Sequence, residues 1–177
     1  MKLEGRVWIF KNDDINTDLI YPGKYTYEPL SPKEQASHAM EDYDPDFSQE
    51  IKKHDIIVTG NNFGCGSSRE QAVTCLKHAG IEAIIASSFA RLFYRNAINS
   101  AFAIVECPRL VESLFEKIEK TGSTRTDFLI SIDLSKGRIF SESREFSFPS
   151  WDEQAVQIFK SGGLVEFTKQ ILRGMPS

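Results

Sequence analysis

The groups best suited to act on a small anion are concentrated in Thr59-Gly60-Asn61-Asn62-Phe63-Gly64-Cys65-Gly66-Ser67-Ser68-Arg69-Glu70. This run holds two adjacent hydroxyls, a guanidinium and three glycines. Ahead of it, Asp55-Ile56-Ile57-Val58 reads as a buried strand. Behind it, residues 71–79 read as a helix stopped by Gly80. Glycine permits tight turns and lets backbone amides approach a ligand. The first amides of a helix lack internal partners and lie at the positive end of its dipole. Such a strand-to-helix turn is a cradle for an anion, and a carboxylate suits it. Ser67-x-x-Glu70 and Ser68-x-x-Gln71 also match the capping box, so either serine alone is explained by capping. Two neighbouring serines cannot both be the N-cap, which leaves one hydroxyl free. A P-loop needs Lys where Ser67 stands, and the dinucleotide fingerprint needs Gly where Arg69 stands. Both departures argue against a nucleotide.

The elements that must position this stretch read as alternating strands and helices. Gly5-Arg6-Val7-Trp8-Ile9-Phe10 alternates like a first strand, followed by a polar turn and the loop Ile15-Asn16-Thr17-Asp18. Ser31-Pro32 opens a helix as N-cap and N1, and residues 42–47 read as an acidic linker. Residues 81–86 and 102–107 are further strands, with Ser87-Ser88 placed to cap an intervening helix over 89–99. Pro108 starts an amphipathic helix that ends at Thr121-Gly122-Ser123. Residues 128–133 and 138–141 alternate around Lys136-Gly137 as a β-hairpin, with residues 145–148 as an edge strand. Helices over 151–160 and 164–173, the second with a fraying tail, close the chain. Strands alternating with helices imply crossovers and a parallel sheet. On helix 89–99, Arg91 and Arg95 share a face, as do Asn96 and Ser100, and surface charge or fold-stabilising hydrogen bonds explain them.

The 177 residues suit one domain spanning 1–177. A net charge of −4 argues against nucleic acid as a partner. No apolar run approaches the roughly 18 residues of a membrane span, and the first residues lack a signal peptide's apolar core. The expected location is the cytoplasm. Cys65, Cys75 and Cys107 are odd in number and widely spaced, and His38, His54 and His78 lack metal-ligand spacing. No metal is expected on this chain. Cys75 and Cys107 read as buried thiols.

Asn62-Phe63-Gly64-Cys65-Gly66-Ser67-Ser68-Arg69-Glu70 resembles the signature of the 3-isopropylmalate dehydratase small-subunit family, related to the mobile swivel domain of aconitase. Residues 14–22 (Asp-Ile-Asn-Thr-Asp-Leu-Ile-Tyr-Pro) and 88–99 (Ser-Phe-Ala-Arg-Leu-Phe-Tyr-Arg-Asn-Ala-Ile-Asn) carry the resemblance further, in the family's order. It implies an α/β fold: a swivelling β/β/α domain of the aconitase type, with a mainly parallel central sheet flanked by helices and an added β-hairpin. It also implies a hydro-lyase half, inactive until it docks as a heterodimer or heterotetramer on a large subunit carrying a [4Fe-4S] cluster. The substrate it implies is a small hydroxy di- or tricarboxylic acid.

In that family a swivel-domain serine takes a proton from the carbon beside a carboxylate. By its place in the motif that base is Ser67. A hydroxyl is too weak an acid for this unless its alkoxide is stabilised, and the helix-start amides and Arg69 are the means available. The resemblance makes Arg69 a carboxylate ligand, its forked donors suiting two oxygens. Ser68 donates to substrate or caps the helix, and Gly64 and Gly66 hold the loop open. Thr17 and Asp18 match a pair beside the family's site, with Asp18 orienting an arginine or a serine, although an Asp in a loop is ordinarily a turn-former. Lys24 and Tyr25 lie in the loop that meets the variable part of the substrate in the resembling enzymes; a plain aromatic surface loop is the alternative. Its sequence, Lys24-Tyr25-Thr26-Tyr27, lacks the arginine that accompanies an extra substrate carboxylate, and Lys24 is its one charge. Gln71 stands where the family often has His. The expected reaction is isomerisation of 2-isopropylmalate to 3-isopropylmalate in leucine biosynthesis. The alternatives are the small subunit of a homoaconitase or other hydroxy-acid dehydratase, and a non-catalytic carboxylate-binding regulatory module.

Overall fold

The computed structural model describes residues 1–118 and 122–174. In chain order the elements are β1 (Lys2–Lys11), α1 (Thr17–Ile20), α2 (Pro32–Ser37), α3 (Phe47–Glu50), β2 (Ile56–Thr59), α4 (Gln71–Ala79), β3 (Ala83–Ala86), α5 (Arg91–Asn99), β4 (Ala103–Glu106) and α6 (Pro108–Glu116). There follow β5 (Gly122–Asp133), β6 (Arg138–Ser141), β7 (Arg144–Ser147), α7 (Glu153–Lys160) and α8 (Leu164–Gly174). One seven-stranded sheet has the order β4-β3-β2-β1-β5-β6-β7. β1 to β4 are mutually parallel, and β5, β6 and β7 continue the sheet antiparallel beyond β1.

Helices cover the parallel half on both faces, which is why β2 and β3 are unbroken apolar runs. The two-residue period of β1 divides its side chains between two cores. Trp8 and Phe10 join Ile57, Ile84, Val73, Leu76 and Phe93 under α4 and α5. Val7 and Ile9 join Val58, Ile85, Leu110 and Val111 under α6.

Several elements differ from the reading of the sequence. β5 begins well before Phe128, because its polar first half pairs with Trp8 to Lys11 of β1. α3 lies at the end of the segment read as an acidic linker, and α1 in the loop holding Thr17 and Asp18. Ser87 and Ser88 do not cap α5, whose N-cap is Ala90 without a side-chain bond; the Ser88 hydroxyl oxygen instead accepts the Asn62 amide. Thr121 and the tail beyond α8 lie outside the described residues.

The parallel register decides where the three motifs meet. Phe10 is level with Thr59, and Thr59 with Ala86, so β1, β2 and β3 end side by side. The segments leaving those ends are residues 12–22, 60–70 and 87–90, which carry the motifs. Ligands of open α/β sheets bind at this carboxyl end of the strands.

Candidate active site

The segments after β1 and β2 are laced together by backbone and side-chain bonds. Asp14 N–H donates to Asn61 O at 2.9 Å, Gly64 N–H to Ile15 O at 2.8 Å, and Thr17 N–H to Cys65 O at 2.8 Å. Asp13 Oδ1 accepts the Asn61 amide at 2.6 Å, and Asn62 Nδ2 donates to Asp14 Oδ1 at 2.7 Å. The segment after β3 is tied in by Phe63 N–H to Ser88 O at 3.1 Å and Ala90 N–H to Phe63 O at 3.0 Å. Gly64 sits at φ 78°, where a Cβ would run into the Phe93 ring, so the residue has to be glycine on both counts.

Within this lattice Ser67 and Ser68 are exposed, and their hydroxyls have no partner among the described residues. Neither caps α4, which starts at Gln71 behind the N-cap Glu70 and has no side-chain cap. The capping reading of the serines therefore falls. The helix start lies farther along the chain than the motif suggested, and the Ser67 amide is already engaged, donating to Thr17 Oγ1 at 3.0 Å. The Ser68 carbonyl accepts from Asn96 Nδ2 at 3.0 Å, and Ser100 Oγ donates to Glu70 Oε1 at 3.4 Å. The Asn96 and Ser100 pair is thus a fold-stabilising one whose bonds go to the serine loop itself. Arg91 and Arg95 are exposed, as surface charges.

Arg69 is the most constrained charge of the group, its side chain only 12% exposed. Nη2 donates to Asp18 Oδ1 at 2.6 Å and to Thr17 Oγ1 at 3.3 Å, and Nη1 donates to Thr26 Oγ1 at 3.2 Å. Nε is buried with no acceptor among the described residues. Asp18 is 67% exposed, so this ion pair has one side toward solvent. Asn16 holds it in place from below, its Oδ1 accepting the amides of Asp18 and Leu19 as the N-cap of α1. Thr17, only 1% exposed, serves Ser67 and Arg69 together through one oxygen. Gly23 stands close by: a Cβ there would meet Asp18 Oδ1 at 2.9 Å and Arg69 Nη1 at 3.1 Å.

Lys24 and Tyr25 are placed on the other side of Thr26 and face a carboxylate that the sequence did not single out. Lys24 Nζ donates to Glu41 Oε1 at 2.8 Å, and Tyr25 OH lies 3.2 and 3.3 Å from the two Glu41 oxygens. His38 Nδ1 is 2.5 Å from Glu41 Oε2. Burial tends to raise the Glu41 carboxyl, but hydrogen bonds from Lys24 and His38 outweigh it and hold the group below its ordinary value. The bond to Glu41 correspondingly raises Lys24. Only Lys24-Tyr25 was legible; Glu41 has no motif, and its partners come together through the turn at Met40, whose φ is 59°.

Cys75 and Cys107 are buried and their thiols are pushed up by burial; half-buried Cys65 is raised by burial and by Asp14. Among the described residues no group of three or more His, Cys, Asp or Glu side chains is placed to hold a metal ion. Five concavities of the chain are lined by residues other than Ser67, Ser68, Arg69 and Asp18. Two exposed hydroxyls, next in sequence to a fixed guanidinium, thus stand on an open surface.

The chain is similar to known proteins in sequence and in fold. The family described as the aconitase C-terminal domain matches residues 2–109, a span that includes all three motifs. A 3-isopropylmalate dehydratase small subunit of Thermodesulfovibrio yellowstonii is 41% identical over 174 residues, 97% of this chain and 96% of the relative. A methanogen homoaconitase small subunit of Methanothermobacter thermautotrophicus is 43% identical over 165 residues, 92% and 88% of the two chains. The crystal structure of a 3-isopropylmalate dehydratase from Methanocaldococcus jannaschii superposes with a TM-score of 0.82 at 38% identity, covering 98% of this chain and 96% of that one. The chain belongs to the aconitase C-terminal domain family, among the 3-isopropylmalate dehydratase small subunits and their homologues.

Proposed function

We propose that this chain, acting as one domain, is the small subunit of a hydro-lyase that interconverts 2-isopropylmalate and 3-isopropylmalate by dehydration and rehydration. Its partner is a large subunit that supplies the iron–sulfur cluster, and the active site forms where the two meet. The observation that carries this reading is the free, exposed Ser67 hydroxyl next to Arg69, on a loop fixed from three sides.

In this reading Ser67 accepts the proton from the carbon beside a substrate carboxylate and returns it on rehydration. Thr17 fixes the serine through its amide, so the hydroxyl stays in reach of that carbon. The neighbouring guanidinium favours negative charge on the serine oxygen and binds the substrate carboxylate. Its buried Nε–H, which lacks an acceptor, is the kind of orphan donor a bound carboxylate satisfies. Asp18 and Thr26 hold Arg69 in register, and Ser68 donates to substrate from the same loop. No step on the hydroxyl side is assigned to this chain.

A homoaconitase-type substrate is the second reading, favoured by the relative of that name at 43% identity. The pairing of Lys24 with Glu41 favours the first, because it leaves residues 23–28 without a free cation for a further carboxylate. The test is reconstitution with the large subunit and iron and sulfide, without oxygen. Formation of the unsaturated acid is followed with isopropylmalate, homocitrate, citramalate and dimethylmalate. Turnover of isopropylmalate supports the first reading and turnover of homocitrate the second. No complex with any such large subunit overturns both.

A further inference from the structure

Helix α5 buries one side, binds the serine loop with the next and leaves a third arc bare. Phe93 and Ala97 are buried, while Asn96 donates to Ser68 O and Ser100 to Glu70 Oε1. At about 100° per residue, the arc beyond Asn96 holds Leu92, Asn99, Arg95 and Arg91, and all four are exposed. Leu92 lies one turn before Asn96, on the border with the serine loop, and is 43% exposed. Its neighbour Phe93 fills the space a Cβ of Gly64 would need, so the start of α5 and the serine loop are held as one piece. Arg91 and Arg95 have no partner among the described residues. Arg91 is moreover the first residue of the helix, at the positive end of its dipole, where a cation is unfavourable. The N-cap Ala90 makes no side-chain bond and the first turn holds no acid. Glu106 Oε1 accepts the Phe89 amide at 3.1 Å just ahead of the helix, without forming an ion pair with either arginine. A residue choice that costs locally and is not compensated within the chain points to a partner outside it.

We propose that Arg91, Leu92 and Arg95 form a contact by which the large subunit docks beside Ser67, through a segment that sets carboxylates around an apolar side chain. The proposal rests on the hydro-lyase reading above. A subunit that closes over the exposed serine loop meets this arc, because Asn96 bonds to Ser68 and Leu92 borders Asn96. Two unpaired guanidinium groups on a chain of net charge −4 supply the complementarity that an acidic partner needs. Arginine suits such a contact, since its guanidinium is weakly hydrated and forks onto carboxylates. None of the three residues is given a part in substrate binding or proton transfer.

The test titrates the reconstituted large subunit with the full chain and follows binding by calorimetry, with turnover of isopropylmalate measured alongside. Arg91→Glu combined with Arg95→Glu weakens the complex about 10–100-fold, because like charges then face each other. Leu92→Asp weakens it about tenfold for the same reason. Arg91→Lys with Arg95→Lys keeps the charge and most of the affinity. The penalty of charge reversal shrinks as ionic strength rises, which a folding defect does not reproduce. The free reversed chain melts no lower than wild type, since an acid replaces a cation at the helix start. At saturating large subunit it turns over with the wild-type kcat. Wild-type affinity in the reversed chain overturns the proposal, and so does a kcat that stays low at saturation, which assigns the arginines to substrate instead. Either result leaves the hydro-lyase reading intact. A wild-type chain that binds no such large subunit removes that reading and this proposal with it.

Discussion

Replacing Thr17 by valine keeps the shape of a fully buried side chain and removes one oxygen that serves two residues. That oxygen accepts the Ser67 amide at 3.0 Å and Arg69 Nη2 at 3.3 Å. Each net hydrogen bond contributes about 0.5–1.5 kcal/mol, more where one partner is charged. Water reaches the exposed Ser67 and offsets part of the loss, and Arg69 keeps its shorter bond to Asp18. The expected destabilisation is therefore about 1–2 kcal/mol. In a chain of this size that lowers Tm by roughly 3–6 °C. The effect on turnover is larger, because a reacting group displaced by about 1 Å loses on the order of 100-fold. Thermal unfolding of the free chain gives the first quantity and kcat of the reconstituted complex the second. Thr17→Ser keeps the oxygen and restores both. A Thr17→Val protein that melts with the wild type and turns over at the wild-type rate refutes the role given to this hydroxyl.

Gly64→Ala combines a φ of 78° with a Cβ driven into the Phe93 ring, and denaturant unfolding should show a loss of about 2–4 kcal/mol; an unchanged midpoint contradicts the packing described. The Glu41 carboxyl, whose folded pKa lies below its ordinary 4.5, contributes stability above that value and loses it as pH falls through the folded pKa. Urea midpoints measured from neutral to acid pH therefore decline less steeply in Glu41→Gln than in wild type, and parallel curves count against the Glu41 hydrogen bonds. Thiol titration of the native chain should modify Cys65 first, with Cys75 and Cys107 reacting only on unfolding. Early modification of Cys75 contradicts its burial.

How much of this was legible in the sequence follows from whether the cause is local. α4 was read at its true bounds because the left-handed turn at Gly80, φ 98°, is written into the residue type. β2 and β3 were visible as short apolar runs, and the β5–β6 hairpin as alternation around Lys136-Gly137. The first half of β5 was not visible, since Thr124, Arg125 and Thr126 have no alternation of their own and become a strand by pairing with β1. The capping alternative for the serines fails for a similar reason. Thr17, far away in sequence, takes the Ser67 amide, and helix α4 opens beyond both serines. The Asp18–Arg69 contact was anticipated as one of two options for Asp18. Glu41 stayed hidden because a lone glutamate after a helix carries no pattern, and only the fold gathers Lys24, Tyr25 and His38 around it.

The central claim is that Ser67 moves the proton. The most direct measurement is exchange of deuterium from D2O into the substrate carbon beside the carboxylate, catalysed by the reconstituted complex. It is made for wild type and Ser67→Ala alongside Tm and complex formation. The account predicts that Ser67→Ala assembles and melts like wild type, because its hydroxyl holds nothing in place, while exchange falls by about 10²–10⁴-fold. Exchange persisting at the wild-type rate in an assembled Ser67→Ala complex contradicts it.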